Sequence, residues 1–136
     1  MAVRSNSIEH AKHNEQTCNF LSGNKKFCDW AVTTAFYSAL HYARHLMIPH
    51  TDSDGEKYEC FDSFYTATKC LTENKHSFMK NYIRRNHRSI SIQYNQLFDL
   101  SHSSRYINFN VPRETSNNAK NLLKEIKNYV LTTKPA

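Results

Sequence analysis

The stretch from Asp29 to His50, DWAVTTAFYSALHYARHLMIPH, limits what this chain can fold into more than any other. Drawn as a helix, it is apolar almost all the way round, and such a helix is stable in water only when other helices surround it. It therefore belongs at the centre of a bundle. One stripe differs: Thr34, Tyr37, His41, Arg44 and His45 recur at steps of three and four, which places them on one face. Titratable groups on the inner helix of a bundle need partners or a purpose. Asp29 is positioned to cap the helix N-terminus with its carboxylate. Pro49 closes the other end, because a proline drives the residue before it out of helical geometry.

Composition supports a few long helices. The chain of 136 residues has only 2 Gly and 3 Pro, too few turn-formers for many short strands. A single all-α domain over residues 1–136 is expected, with a core from about residue 8 to 130 and room to bury it without staples. A formal net charge of +6 makes an anionic partner electrostatically easy, nucleic acid first among them.

No run of apolar residues reaches a membrane-spanning length, and the opening MAVRSNSIEHAKHNE is too polar for a secretory signal. The cysteines at 18, 28, 60 and 70 then read as cytosolic thiols, and a cytoplasmic location is expected. Their gaps of nine intervening residues do not suit a zinc site, and no H-E-x-x-H occurs. No metal or cofactor is expected.

Taken in order, Ser5 or Ser7 can cap a first helix with Ile8, Ala11, Cys18 and Leu21 inward and Gly23 as its stop. After the central helix, HTDSDGEKYE reads as a turn-rich, solvated acidic loop around Asp54-Gly55; it lacks a calcium-loop pattern. Residues 61–72 suggest a short amphipathic helix with Phe61, Phe64, Tyr65, Ala67 and Leu71 inward. Asn74 can cap the next helix. From residue 74 to 98 there are five basic residues and no acid, and Lys80, Arg84 and Arg88 stack on one face if the helix runs that far. With Arg85, this stripe offers salt-sensitive affinity for phosphates without base readout.

Residues 89–95 and 106–111 alternate strictly and read as strands by period alone. Yet Tyr94, Leu97, Leu100 and Ser104 fall at helical steps, so local patterning leaves helix, strand and loop open there. The last element is a helix capped by Thr115, with Ala119, Leu122, Leu123, Ile126, Tyr129 and Val130 as its inner stripe.

Three segments carry a likeness to a known family. DWAVTTAFYSALHYAR, KHSFMKNYIRR and YNQLFDLSHSSRY resemble the HEPN superfamily of small helical bundles, over roughly residues 8–130. The nearest likeness is to a stand-alone group with a D-W-A-V…F-Y-x-A-L-H central helix and a downstream S-x-x-x-R-Y. The resemblance implies an antiparallel up-and-down bundle of about five helices, overruling the strand expectation for residues 89–95. It also implies a homodimer with its cleft at the interface.

Many members are metal-independent endoribonucleases of toxin–antitoxin, phage-defence or RNA-processing systems. Others are non-catalytic and bind RNA or a partner such as a nucleotidyltransferase-type antitoxin. Active members carry an Arg, then usually a polar residue, then a His four to six residues after the Arg. That pair suits cleavage by the neighbouring 2′-OH, which needs a proton-transfer group and a cation for the phosphate. Arg44 and His50 have this spacing, as do Arg4 and His10. The alternative set is His41, His76 and Arg105, which match recurrent polar positions of the group. Relatives tend to carry an Arg three residues after the position of His76; this chain has Met79. Lone histidines on apolar helices favour a hydrogen-bonded structural role for His41. Tyr106 is expected to pack, and His87 and His102 to lie at the surface.

Overall fold

Asn6, rather than a serine, begins the first helix: its side chain accepts from the Glu9 amide at 3.3 Å. The computed structural model describes residues 6–68 and 73–136; Arg4, Ser5, Cys70 and Leu71, which entered the expectations above, lie outside them. Helix α1 (Ser7–Ser22) leads through a 3-10 turn at Lys25–Phe27 into α2 (Cys28–Met47). Asn24 caps that turn by accepting from the Lys26 amide, and the turn runs straight on into α2. Asp29 consequently sits inside the first turn of α2 and is not its cap. The far end of α2 behaves as expected, with Ile48 extended at φ −124° and ψ 136° ahead of Pro49.

The expected acidic loop contains a two-residue hairpin, with β1 (His50–Thr51) antiparallel to β2 (Lys57–Tyr58). Its turn is built by Asp52, whose Oδ1 accepts from the Asp54 and Glu56 amides, and by Gly55 at φ 85°, a left-handed conformation suited to glycine. Helix α3 (Phe61–Ala67) is shorter than expected, and Ala67 is exposed. Only Phe61 and Phe64 reach the core, with Tyr65 half-buried. Helix α4 (Lys75–Asn86) is capped by Asn74 as predicted, at 2.8 Å from the Ser77 amide.

Helix α5 (Ser91–Tyr106), preceded by a 3-10 turn at Arg88–Ile90, occupies the first alternating stretch. The physical reason lies in what each conformation would bury. A strand would put Ile90, Ile92 and Tyr94 on one side, whereas the helix buries Ile90, Tyr94, Leu97, Ser101 and Ser104 and leaves Ile92 outside. Of the second alternating stretch, residues 106–111, Tyr106 ends α5 and the rest form no strand, running as an irregular link to α6 (Arg113–Thr133). That last helix starts earlier than Thr115. Pro112 precedes it with its φ fixed at −63°, and Ala119, Leu123, Ile126 and Val130 are its buried positions.

The described residues thus form an all-α bundle of six α-helices, one more than expected, with the hairpin as its minor β element. Helix α2 lies against α1, α5 and α6. Small residues let the neighbours come close: the Ser38 hydroxyl donates to the Ala11 carbonyl at 2.7 Å, and Thr33 Oγ1 lies 3.5 Å from Ser104 Oγ. Phe36 is fully buried among the rings of Tyr37, His76, Tyr94 and Phe98, so α2, α4 and α5 meet at one aromatic centre. No described helix is long and apolar enough to cross a membrane.

Candidate functional site

The polar stripe of α2 divides among its neighbours: Tyr37 meets α5, His41 meets α1, Arg44 meets α3 and His45 meets Lys134. Arg105 of α5 donates from Nη1 to the Tyr37 hydroxyl at 2.9 Å, and its guanidinium lies 5.5 Å from the centre of the Tyr37 ring. His76 of α4 packs edge-on to Phe98 of α5 at 5.2 Å and tilts against Phe36. One turn along α4, Lys80 places its ammonium 3.5 Å from the centre of the Phe98 ring. His41 stacks on His10 of α1 at 5.0 Å. Of the alternative set His41, His76 and Arg105, the structure brings His76 and Arg105 into one electrostatic neighbourhood, whereas His41 lies against α1.

Electrostatics mark this region as cationic. Burial, then the charges of Arg105, Lys80 and Arg44, hold the His76 imidazole below its ordinary range. Burial, then Arg44 and His10, push His41 down to about 4. Every charged neighbour acting on these two histidines is a cation, with Arg44 common to both. Among the described residues, no carboxylate forms an ion pair with Arg105, Lys80 or Arg44. A local excess of positive charge attracts an anion.

Arg44 and His50 end in separate surroundings. The Arg44 guanidinium lies over the Phe61 ring at 4.1 Å, its Nε is buried without a hydrogen-bond partner, and burial lowers its pKa. The His50 ring packs on Phe64 at 4.4 Å and lies parallel to Tyr58. No hydrogen bond, ion pair or ring contact joins Arg44 to His50. Their sequence spacing places them on either side of the α2 terminus, and the chain reverses at the hairpin between β1 and β2.

The basic stripe of α4 is also less regular than its spacing. Lys80 is half-buried against Phe98, Arg84 donates to Asn81 Oδ1 at 3.2 Å, and Arg85 is exposed. Helix α4 ends at Asn86, so Arg88 belongs to the following 3-10 turn and not to the same helical face. His102 is exposed as expected. His87 is half-buried, its Nδ1 3.0 Å from the Tyr129 hydroxyl.

Two features escaped the sequence analysis. Phe98, to which the sequence analysis gave no role, is the ring shared by His76, Lys80 and His102. Trp30, Tyr106 and Phe109 are exposed at 54%, 69% and 70%, although the tryptophan and tyrosine belong to motifs expected to pack. The only legible signal for the second was polar crowding around each aromatic. A separate hollow of about 490 Å³ between α5 and α6 is lined by Asp99 and Glu125 with several amides. It contains none of the candidate residues, and its acids repel phosphate. No group of three or more potential metal ligands occurs among the described residues.

No protein-family model, curated protein or solved structure matches this chain.

Proposed function

We propose that this chain is a HEPN-like RNA-associated protein that holds a phosphodiester between α2, α4 and α5. One observation carries the reading: Arg105, Lys80 and Arg44 all act on His76 and none is ion-paired among the described residues, although the Asp62 carboxylate acts electrostatically on Arg44. Arg105 and Lys80 supply cations for the phosphate oxygens. His76 and His41, kept neutral near pH 7, have an imidazole nitrogen able to accept a proton.

In its catalytic form the proposal is metal-independent RNA cleavage. A neutral histidine takes the 2′-OH proton while Arg105 holds the charge that develops on the phosphate. His76 suits that role better than His41, whose ring is stacked on His10 and more strongly depressed. The non-catalytic form, a dimeric RNA- or partner-binding module in a toxin or defence system, is favoured by the separate placement of Arg44 and His50.

The test is retention of a single-stranded RNA across a salt series, with cleavage followed in EDTA. The expected result is salt-sensitive binding that Lys80→Glu and Arg105→Ala weaken, each flattening the salt slope by about one charge. Cleavage lost in His76→Ala selects the catalytic form, and binding without cleavage the other. Salt-insensitive retention, unchanged in both cation variants, overturns the proposal.

A further inference from the structure

Arg105 has a second side. Besides donating to Tyr37, it lines a hollow of about 250 Å³ with Asp29, Trp30, Thr33, Ser104 and Phe109. The hollow is smaller than the roughly 300–1,000 Å³ of sites for drug-sized ligands and suits one flat ring system. Two exposed aromatics, Trp30 and Phe109, stand at its wall, although a large exposed aromatic gains nothing from water. The adjoining surface carries Lys25, Lys26 and Phe109 around a neighbouring depression, and Arg113 is fixed beside it by donating to the Gly23 carbonyl. Aromatic faces interleaved with cations form a surface on which single-stranded bases stack while the backbone is neutralised.

One residue sets the chemistry inside the hollow. Asp29 lies in the first turn of α2. Its carboxylate has no hydrogen-bond or ion-pair partner among the described residues. Thr33 and Ser104 are already engaged, donating to the carbonyls of Asp29 and Ser101. Besides the N–H groups of Arg105 not given to Tyr37 and Ser101, the free polar group is the Asp29 carboxylate, an acceptor that repels phosphate and asks for N–H donors. Guanine alone among the common bases presents two adjacent N–H donors, N1–H and N2–H, on its Watson–Crick edge.

We propose that this hollow is a nucleobase subsite selective for guanine, in which Trp30 and Phe109 stack on the base and the Asp29 carboxylate accepts from its N1–H and N2–H. The inference rests on the RNA reading above, and Arg105 joins the two: one guanidinium borders both the cationic region and the base hollow. The cations around the aromatics, Lys25, Lys26, Arg105 and Arg113, favour a polyanionic strand over a protein segment as the occupant.

Trp30 is the only tryptophan in the chain, which makes its fluorescence a direct report on the hollow. The experiment titrates the full chain with the pentaribonucleotides UUGUU, UUAUU and UUUUU, and with an inosine version of the first that lacks the N2 amino group. Trp30 quenching should saturate with UUGUU at a concentration at least about five-fold lower than with the other three, the lower end for a good bidentate contact. Asp29→Asn should remove that preference while leaving salt-dependent retention of UUUUU intact, and Trp30→Ala should weaken retention of all four.

Three outcomes overturn the base subsite while leaving the phosphate reading standing, provided salt-sensitive retention is still weakened in Lys80→Glu. They are no quenching, equal affinity for all four oligomers, and a guanine preference that survives Asp29→Asn. A Trp30 emission shift that depends on protein concentration without RNA, matched by self-association that Trp30→Ala abolishes, assigns the hollow to a second copy of the chain and also overturns it. Failure of the wild type to retain any of the RNAs removes both readings.

Discussion

The Arg105 guanidinium donates to the Tyr37 hydroxyl at 2.9 Å, joining α5 to α2 across 68 positions of sequence. Its Nε also points toward the Ser101 carbonyl at 3.4 Å, and Tyr106 offers a ring 5.0 Å from the charge. Arg105 is thus held by neutral acceptors and aromatic faces. Its positive charge is positioned without being neutralised, a useful state for binding an anion.

Tyr37→Phe should therefore separate structure from binding. It removes one charge-assisted hydrogen bond on a half-buried residue, so urea denaturation should show a loss of about 0.5–1.5 kcal/mol. RNA retention should fall more noticeably, because Arg105 then samples several rotamers. Equal retention by wild type and Tyr37→Phe would mean that the bond serves packing alone.

Stability should decline on mild acidification. The His41 imidazole sits at about 4 in the folded chain against 6.5 as its ordinary value, so between these pH values the unfolded chain takes up a proton that the folded chain refuses. Its favourable contribution is complete above pH 6.5, is lost as pH falls through that window, and falls no further below about 4. His76 and His87, depressed chiefly by burial, act with the same sign. The urea midpoint should be lower at pH 5 than at pH 7, and His41→Gln should reduce the difference. An unchanged slope in that variant would exclude His41 as a source.

The C-terminus should contribute measurably. Lys134 Nζ donates to the His45 and Ile48 carbonyls at 2.9 and 3.0 Å, covering the C-terminal end of α2. His45 Nε2 in turn lies 2.9 Å from the Lys134 carbonyl. A cation on the free carbonyls of a helix end satisfies orphan acceptors and opposes the helix dipole. Lys134→Ala should cost about 1.5–3 kcal/mol, the range for hydrogen bonds to charged groups, read as a lower melting temperature. Lys134→Arg should recover part of it.

Glu15 should be harder to lose than its ring partner's hydroxyl. The Tyr42 hydroxyl, on a fully buried residue, donates to Glu15 Oε1 at 2.9 Å, and Lys127 donates to both Glu15 oxygens. Tyr42→Phe leaves the Glu15–Lys127 pair intact and should cost about 0.5–1.5 kcal/mol. Glu15→Ala strands a buried hydroxyl and an ammonium together, and should cost more, about 1–3 kcal/mol. Denaturation of the two single variants and the double variant gives the order directly.

Much of the bundle was legible in local pattern. Asn74 was recognisable as a cap, Pro49 as a stop, and the α6 stripe from Ala119 to Val130 as an inward face, because each depends on residues within one or two turns. The alternation of residues 89–95 misled for an equally local reason. Ile90, Ile92 and Tyr94 satisfy a strand, and the choice against it comes from Ser101 and Ser104 fitting closely to α2 some ten residues later. Caps failed where a neighbour competed: Asn6 displaced Ser7, the Lys25–Phe27 turn moved the start of α2 ahead of Asp29, and Pro112 started α6 ahead of Thr115.

The candidate site divides along the same line. His41, His76 and Arg105 could be named from sequence, but that His76 and Arg105 share a region while His41 lies against α1 depends on how the helices pack around α2. The pairing of Arg44 with His50 relied on spacing along the chain, and the Pro49 junction with its hairpin separates their surroundings. The sequence by itself determined that this chain is helical, basic and built around residues 29–47, because helix periodicity, charge and proline geometry are properties of neighbours in the chain. Only the tertiary structure decided which cations share a region, that Phe98 sits among them, and that Asp29 faces Trp30 and Phe109 across a hollow. Those relations join residues up to 80 positions apart, and they are fixed by close packing of whole helices, which no local period encodes.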